Sequence, residues 1–175
     1  MLDGGLPTDD SVFLMGNHEE KMLACIDGDA AAYGPWLQYG GFETLDSYGI
    51  SMQEIFDRSF DLARAMRIVI PPEHIEFIRS FQDYVQIGDY VFVHAGIMPG
   101  RPLHEQSAHD LRWIRKGFLD SPADHGCIVV HGHTIVRRPE RHANRIALDT
   151  GCYLTGRLSA LALEGSAVEL LSIKM

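Results

Sequence analysis

A chain of 175 residues, 46% hydrophobic and 22% charged, is long enough to bury a substantial core and has the composition of a folded globular protein rather than a disordered one. Its formal net charge of -9 excludes the basic stripe of a nucleic-acid groove and the polybasic patch of a membrane-surface binder. The three cysteines, Cys25, Cys127 and Cys152, contain no C-x-x-C pair, which argues against a disulfide framework or a zinc ribbon and for a reducing, cytoplasmic setting.

Residues 1–5 (MLDGG) carry no basic segment followed by an apolar stretch, so they do not read as a signal peptide. No apolar run anywhere approaches the roughly 18 residues that a membrane helix needs. Residues 11–15 (SVFLM) form a short apolar run ending at Gly16, the pattern of a buried strand. A helix is expected over 20–26, closed by Asp27-Gly28, and then an irregular helical excursion over 30–49, rich in Gly and aromatics. Met52, Ile55, Phe56, Leu62, Ala63 and Met66 recur at helical spacing behind Ser51, a candidate N-cap with Glu54 three residues on. Pro71-Pro72 breaks the pattern, and Pro72 suits the first turn of a further helix bearing Ile75, Ile78 and Phe81.

Beyond that helix the period becomes extended. Residues 84–87 and 90–93 flank Gly88-Asp89, a two-residue hairpin connection. Residues 128–130, 145–148, 158–163 and 167–173 read as further strands, with Glu164-Gly165-Ser166 as the turn between the last two. A helical first half with one strand and a strand-rich second half suggest sheet layers covered by helices in a single domain over 1–175.

Ligand-type side chains follow three of these apolar runs: Asn17, His18 and Glu19 after SVFLM, His94 after YVFV, and His131 and His133 at the end of CIVV. Loops beyond strand ends are where layered α/β folds assemble their sites. A neutral imidazole and an amide oxygen both offer lone pairs to a borderline divalent cation, so Asn17, His94 and His133 make a partial coordination sphere. Taken singly, each has an ordinary reading, a half-buried histidine or a Gly-Asn turn.

The blocks Gly16-Asn17-His18-Glu19, Val93-His94-Ala95-Gly96 and Gly132-His133-Thr134 resemble, in order, three signature blocks of the phosphoprotein phosphatase family of calcineurin-like metallophosphoesterases. Gly40-Gly41-Phe42-Glu43-Thr44-Leu45 with Tyr48-Gly49, the run 111–115 (LRWIR) and 144–163 resemble further stretches of its bacterial members. The resemblance spans about residues 12–165. It implies an α/β fold, a sandwich of two β-sheets flanked by helices. It implies hydrolysis of a phosphoester by metal-activated water, with Asn17, His94 and His133 as ligands of the second metal ion. It further implies His18 as general acid toward the leaving-group oxygen and Arg115 as the arginine that grips substrate phosphate. The complete family site holds two divalent ions, manganese favoured over iron or zinc. Phosphoprotein is the first substrate class implied. A symmetrical dinucleoside tetraphosphate hydrolase, which shares these blocks, is the enzymatic alternative, and a non-catalytic relative or a structural zinc protein lies outside that class.

Other polar residues take structural readings: His131 as a support behind the site, Glu19 as a brace, Asp149 as an orienting group, and His74, His104, His109, His125 and His142 as solvated. Arg137, Arg138 and Arg141 read as a surface run, and Arg112 is the rival of Arg115. The family's Asp-x-His and Gly-Asp-x-x-Asp-Arg-Gly blocks do not occur in this sequence. The expectation is therefore a shortened form, missing the first strand–helix units, with residues 2–7 as the loop entering the third strand. Such a chain is expected to bind one ion weakly, to hydrolyse little alone and to self-associate through exposed sheet edges. Partners are a phosphorylated protein or other phosphoester, with no nucleic acid and no membrane.

Overall fold

A computed structural model describes residues 11–57, 59–165 and 167–175, so the expected entry loop at 2–7 and Ser166 of the last turn lie outside the described residues. The described residues gather into two compact units, one formed by Asn17–Phe81 and the other by 11–16 with Gln82–Met175.

The first unit is helical. Its elements are α1 (Asn17–Ile26), α2 (Ala30–Trp36), a kinked turn (Leu37–Gly41), α3 (Phe42–Ser47), α4 (Met52–Ile55), α5 (Leu62–Val69) and α6 (Pro72–Arg79). Met22, Cys25, Trp36, Leu45 and Met66 form its core, with Cys25, Leu45 and Met66 fully buried. The chain turns back at α1, where the Arg67 guanidinium donates to the carbonyl of Ile26 at the helix C-terminus. Ser51 begins α4 with the expected capping box, accepting from the Glu54 amide while the Glu54 carboxylate accepts from the Ser51 amide at 2.9 Å. The apolar period from Met52 to Met66 does not run through as one helix. The Asp57 carboxylate accepts from the Ser59 amide at 2.8 Å, and Asp61 accepts from the Arg64 amide at 2.9 Å, starting α5 afresh. Side-chain bonds of this kind compete with the helical ladder and end α4 after one turn, leaving Phe56 69% exposed.

The second unit is built on a five-stranded mixed sheet in the order β1-β2-β3-β5-β4, from β1 (Tyr84–Ile87), β2 (Tyr90–Val93), β3 (Ile128–His131), β4 (Glu140–Arg141) and β5 (Arg145–Ala147). β1 and β2 form the expected hairpin, with Gly88 in the left-handed region at φ 57°. β2, β3 and β5 are parallel, and the short β4 returns antiparallel to β5. The run 11–15 is shorter as a strand than its composition suggests. It meets the Gln82 segment through one parallel bridge at Leu14, with Gln82 N donating to Phe13 O at 2.9 Å and Met15 N to Gln82 O at 2.8 Å.

A separate hairpin, β6 (Arg157–Glu164) with β7 (Ala167–Lys174), follows a helical turn, α8 (Cys152–Thr155). One face of this hairpin is apolar and open, with Leu158 56% and Ile173 63% exposed. The remaining helix, α7 (Ala108–Trp113), was not anticipated, because a six-residue helix gives too little periodicity to register.

The core of this unit is Val93, Ala95, Leu111, Val129 and Phe118, the last with no exposure at all. The Phe118 ring lies directly under Gly96, where an added Cβ would stand 2.3 Å from ring carbon Cδ1. The same ring meets His131 edge-on, centroids 5.1 Å apart. His131 is 2% exposed; its Nδ1 lies 3.1 Å from Gly132 O and its Nε2 3.4 Å from Arg145 Nη1. Burial pushes the His131 pKa down to about 4, against a backbone hydrogen bond that works to raise it and with the nearby Arg145 charge lowering it further.

Two outcomes follow from this packing. Gly96→Ala is expected to cost about 1–3 kcal/mol in urea unfolding. The cost shrinks in a Phe118→Leu background, whereas equal costs in both backgrounds would show that the ring is not the obstacle. For His131, the unfolded chain takes up a proton near its ordinary 6.5 while the folded chain refuses it until about 4. Stability is therefore unaffected above that window and falls as pH drops through it, by roughly 3 kcal/mol in all. In His131→Gln that acid slope should disappear when unfolding is followed between the two pH values.

Candidate functional site

The register of the parallel sheet explains why two distant histidines meet. Val93 of β2 pairs with His131 of β3, so the residues leaving both strands, His94 and then Gly132-His133, emerge side by side. Gly132 N donates to His94 O at 2.8 Å and ties the two loops together. His94 Nε2 and His133 Nδ1 then lie 3.2 Å apart, with ring centroids at 5.0 Å.

Two side chains spaced H-x-H share one side of an extended segment. Here they part company, because His133 adopts φ 62°, a left-handed conformation that few non-glycine residues take and that recurs at functional positions. The turn leaves His131 in the core and sends the ring of His133 to His94.

The segment after α7 completes this cluster. Ser107 caps α7, its hydroxyl accepting from the Asp110 amide at 3.1 Å. The helix ends at Trp113, whose ring stands nearly perpendicular to that of His133 with centroids 6.2 Å apart. Arg115 is exposed and donates from Nη2 to His133 O at 3.3 Å. Arg112, its rival in the sequence, pairs instead with Asp83, Nη2 at 2.6 Å and Nε at 2.7 Å from the same carboxylate oxygen. Of the two arginines, Arg115 is the one beside the histidine pair.

Can this cluster hold a metal ion? Two imidazole nitrogens about 2.0–2.1 Å from one cation, at an angle of about 90–109°, stand about 2.8–3.4 Å apart. The observed 3.2 Å falls inside that range, and imidazole suits a borderline divalent ion. Among the described residues no group of three or more His, Cys, Asp or Glu side chains is arranged to hold an ion, so the pair would need further ligands of another type, such as an amide.

Asn17 and His18 belong to the helical unit, where they open α1 three residues ahead of the expected start. His18 is exposed, and its imidazole rests over Gly40, where an ideal Cβ would stand 3.8 Å from Cε1. Gly40 has φ 107° at the kink between α2 and α3, a backbone shape that favours glycine and brings the chain against the ring.

The remaining candidates divide. Asp149 accepts from the Gly151 amide at 2.8 Å, an orienting role for the backbone. His104, His109 and His142 are exposed as expected. His74 and His125 are not simply solvated: His74 Nδ1 meets the Tyr48 hydroxyl at 2.9 Å, and His125 is half-buried against Phe118, with its pKa lowered by burial. Their polar sequence neighbours hid partners that only the fold supplies. Trp113 and Phe118 escaped the sequence reading for the same reason, since an aromatic in a short helix or loop carries no signal of what it packs on.

No helix among the described residues is long and apolar enough to cross a membrane. No protein-family model matches the chain, and no curated protein matches it in sequence. Among solved structures, one described as the "crystal structure of a putative diadenosine tetraphosphatase" superimposes with a TM-score of 0.60 at 18% identity, covering 93% of this chain and 68% of that one. At that identity the likeness is one of architecture: the chain shares with that structure a mixed α/β fold, a parallel and antiparallel sheet accompanied by helices.

Proposed function

We propose that this chain carries part of the site of a metal-dependent phosphoester hydrolase in which activated water attacks phosphorus directly. The observation that carries the reading is the pair of imidazole nitrogens at 3.2 Å with the Arg115 guanidinium beside them. His94 and His133, with the amide of Asn17, are the residues that would hold a divalent ion, manganese by preference. When bound, such ions lower the pKa of water to give a nucleophile near neutral pH and offset charge on the phosphoryl oxygens. Arg115 presents a planar fork of donors to the phosphate, whose edge oxygens gain charge as the bond to the leaving group breaks. His18 donates a proton to the departing oxygen. The edge of Trp113 against His133 fixes the plane of that ring.

Two substrate classes have support of different kinds. The sequence blocks resemble those of phosphoprotein phosphatases, whereas the solved neighbour is described as a diadenosine tetraphosphatase. The three residues named here as ligands would serve one ion.

Calorimetric titration with manganese should show one ion per chain, with His94→Ala and His133→Ala each weakening it by about tenfold or more. Unchanged affinity in both variants would remove the metal from the proposal. Manganese-dependent phosphate release from a phosphothreonine peptide and from bis(5′-adenosyl) tetraphosphate, measured side by side, ranks the substrate classes. Arg115→Ala should lower kcat/KM on the better one by roughly 10- to 100-fold, and no metal-dependent release from either would end the hydrolase reading.

A further inference from the structure

The register of the sheet carries past the histidine pair to a second set of side chains. Val93 of β2 pairs with His131 of β3, His131 with Ala147 of β5, and Ala147 with Glu140 of β4, so a single row crosses all four strands. His133 lies two residues beyond this row. Because β4 runs antiparallel to β5, the residues that precede Glu140 leave the sheet at the same end, and Arg138 also lies two residues beyond the row. In the order β3-β5-β4 the outer strands are two spacings apart, which separates the backbones of His133 and Arg138 by about 10 Å across the sheet.

The backbone that carries this arginine is held on both sides. Val136 N donates to Asp149 O at 2.8 Å and Glu140 joins the ladder with β5, so Arg137, Arg138 and Pro139 form a short arc between two anchors. Arg137 and Arg138 are exposed. Arg79, Arg101 and Arg112 each have a carboxylate partner, in Asp27, Asp110 and Asp83, whereas among the described residues none pairs with Arg137 or Arg138. The carboxylates nearest to them along the chain are engaged elsewhere: Glu140 lies 3.1 Å from His142, and Asp149 accepts from the Gly151 amide. Arg115 comes to His133 from the opposite side, since the helix before it is bonded to the loop after β2, Ala95 N to Leu111 O at 2.9 Å. The histidine pair is therefore flanked by guanidinium groups on both sides.

We propose that Arg137 and Arg138 recognise an acidic segment of a protein substrate, with its acidic side chains about three residues from the phosphorylated one, because an extended peptide covers about 10 Å in three residues. This spacing rests on the reading of the histidine pair as the phosphoryl site. The acidic preference is carried by neither the motif blocks nor the solved neighbour. One exposed ion pair contributes little, so the partner must offer several acceptors at once. A nucleic acid would extend its charge past this patch onto a chain of net charge -9, whereas a short acidic segment meets the patch alone.

The test titrates the full chain with fluorescein-labelled peptides bearing a non-hydrolysable phosphonate in place of phosphothreonine. One peptide has two glutamates beginning about three residues away, a second has them about ten residues away, and a third has glutamines at the near positions. At about 50 mM salt the near-glutamate peptide should bind at least about fivefold more tightly than the glutamine peptide, and the difference should shrink at about 300 mM. The exposed positions make Arg137→Ala with Arg138→Ala tolerable to the fold. That double variant should bind all three peptides alike, whereas Arg141→Ala, farther from the pair on β4, should keep most of the preference. The proposal is overturned if the parent chain does not distinguish glutamate from glutamine, if near and distant glutamates serve equally, or if the double variant keeps the preference. It is also overturned if a thymidine oligonucleotide or bis(5′-adenosyl) tetraphosphate binds as tightly and depends as strongly on the two arginines. Manganese-dependent release of phosphate from the phosphothreonine peptide, assayed in parallel, separates the two readings. Release without the acidic preference overturns the recognition surface alone, whereas the preference without release supports the surface and removes only the hydrolase reading.

Discussion

The contact on which the sheet unit depends is the one between the Phe118 ring and the bare backbone of Gly96. A phenylalanine with no exposed surface is worth several kcal/mol of stability, about 3–5 when truncated to alanine. Its position here also has a geometric consequence. By occupying the space where a Cβ at residue 96 would stand, the ring pulls the loop after β2 down onto the core. By meeting His131 edge-on, it also fixes the end of β3. His94 stands two residues before the first anchor and His133 two residues after the second. This packing joins the strand register and the Gly132–His94 hydrogen bond in holding the two rings 3.2 Å apart.

The same packing divides the roles of two histidines that the sequence places two residues apart. His131 is enclosed by Phe118 and Arg145, and burial holds it neutral. A neutral His131 adds no positive charge behind His133, which suits the cation site proposed above. His133 escapes the core only because its backbone enters the left-handed region, a conformation with a cost of order 1–3 kcal/mol that the loop must offset elsewhere. The Gly132 amide bonded to His94 O and the carbonyl of His133 bonded to Arg115 are two visible contributions to that offset.

Much of this organisation was legible in the sequence, and the divide between legible and hidden is physical. Local chemistry reads well: the Ser51–Glu54 capping box, the Pro72 helix start, the Gly88 hairpin and the alternation of β6 all depend on neighbours in the chain. What depends on partners far along the chain does not. The run SVFLM has the composition of a buried strand, and among the described residues it shows one bridge, from Leu14 to Gln82, a partner far along the chain. The break between α4 and α5 was missed because an apolar period says nothing about aspartates ready to capture backbone amides. At the site, motif order singled out His94, His133 and Arg115. The pairing of Arg112 with Asp83, 29 residues away, is a contact that its sequence neighbours do not reveal.

The way the candidate residues are shared between the units suggests how the fold apportions the chemistry. The boundary between units falls at Gly16-Asn17, inside the block Gly16-Asn17-His18-Glu19, so Asn17 and His18 are carried by helix α1 while His94, His133 and Arg115 are carried by the sheet. Each unit has the electrostatics its share demands. The sheet residues offer lone pairs for a cation and a guanidinium for an anion, groups suited to a charged phosphoryl centre. A cleft in the helical unit has a different lining, with Met22, Trp36 and Phe81 beside Glu19 and Glu43 and no lysine or arginine among its described residues.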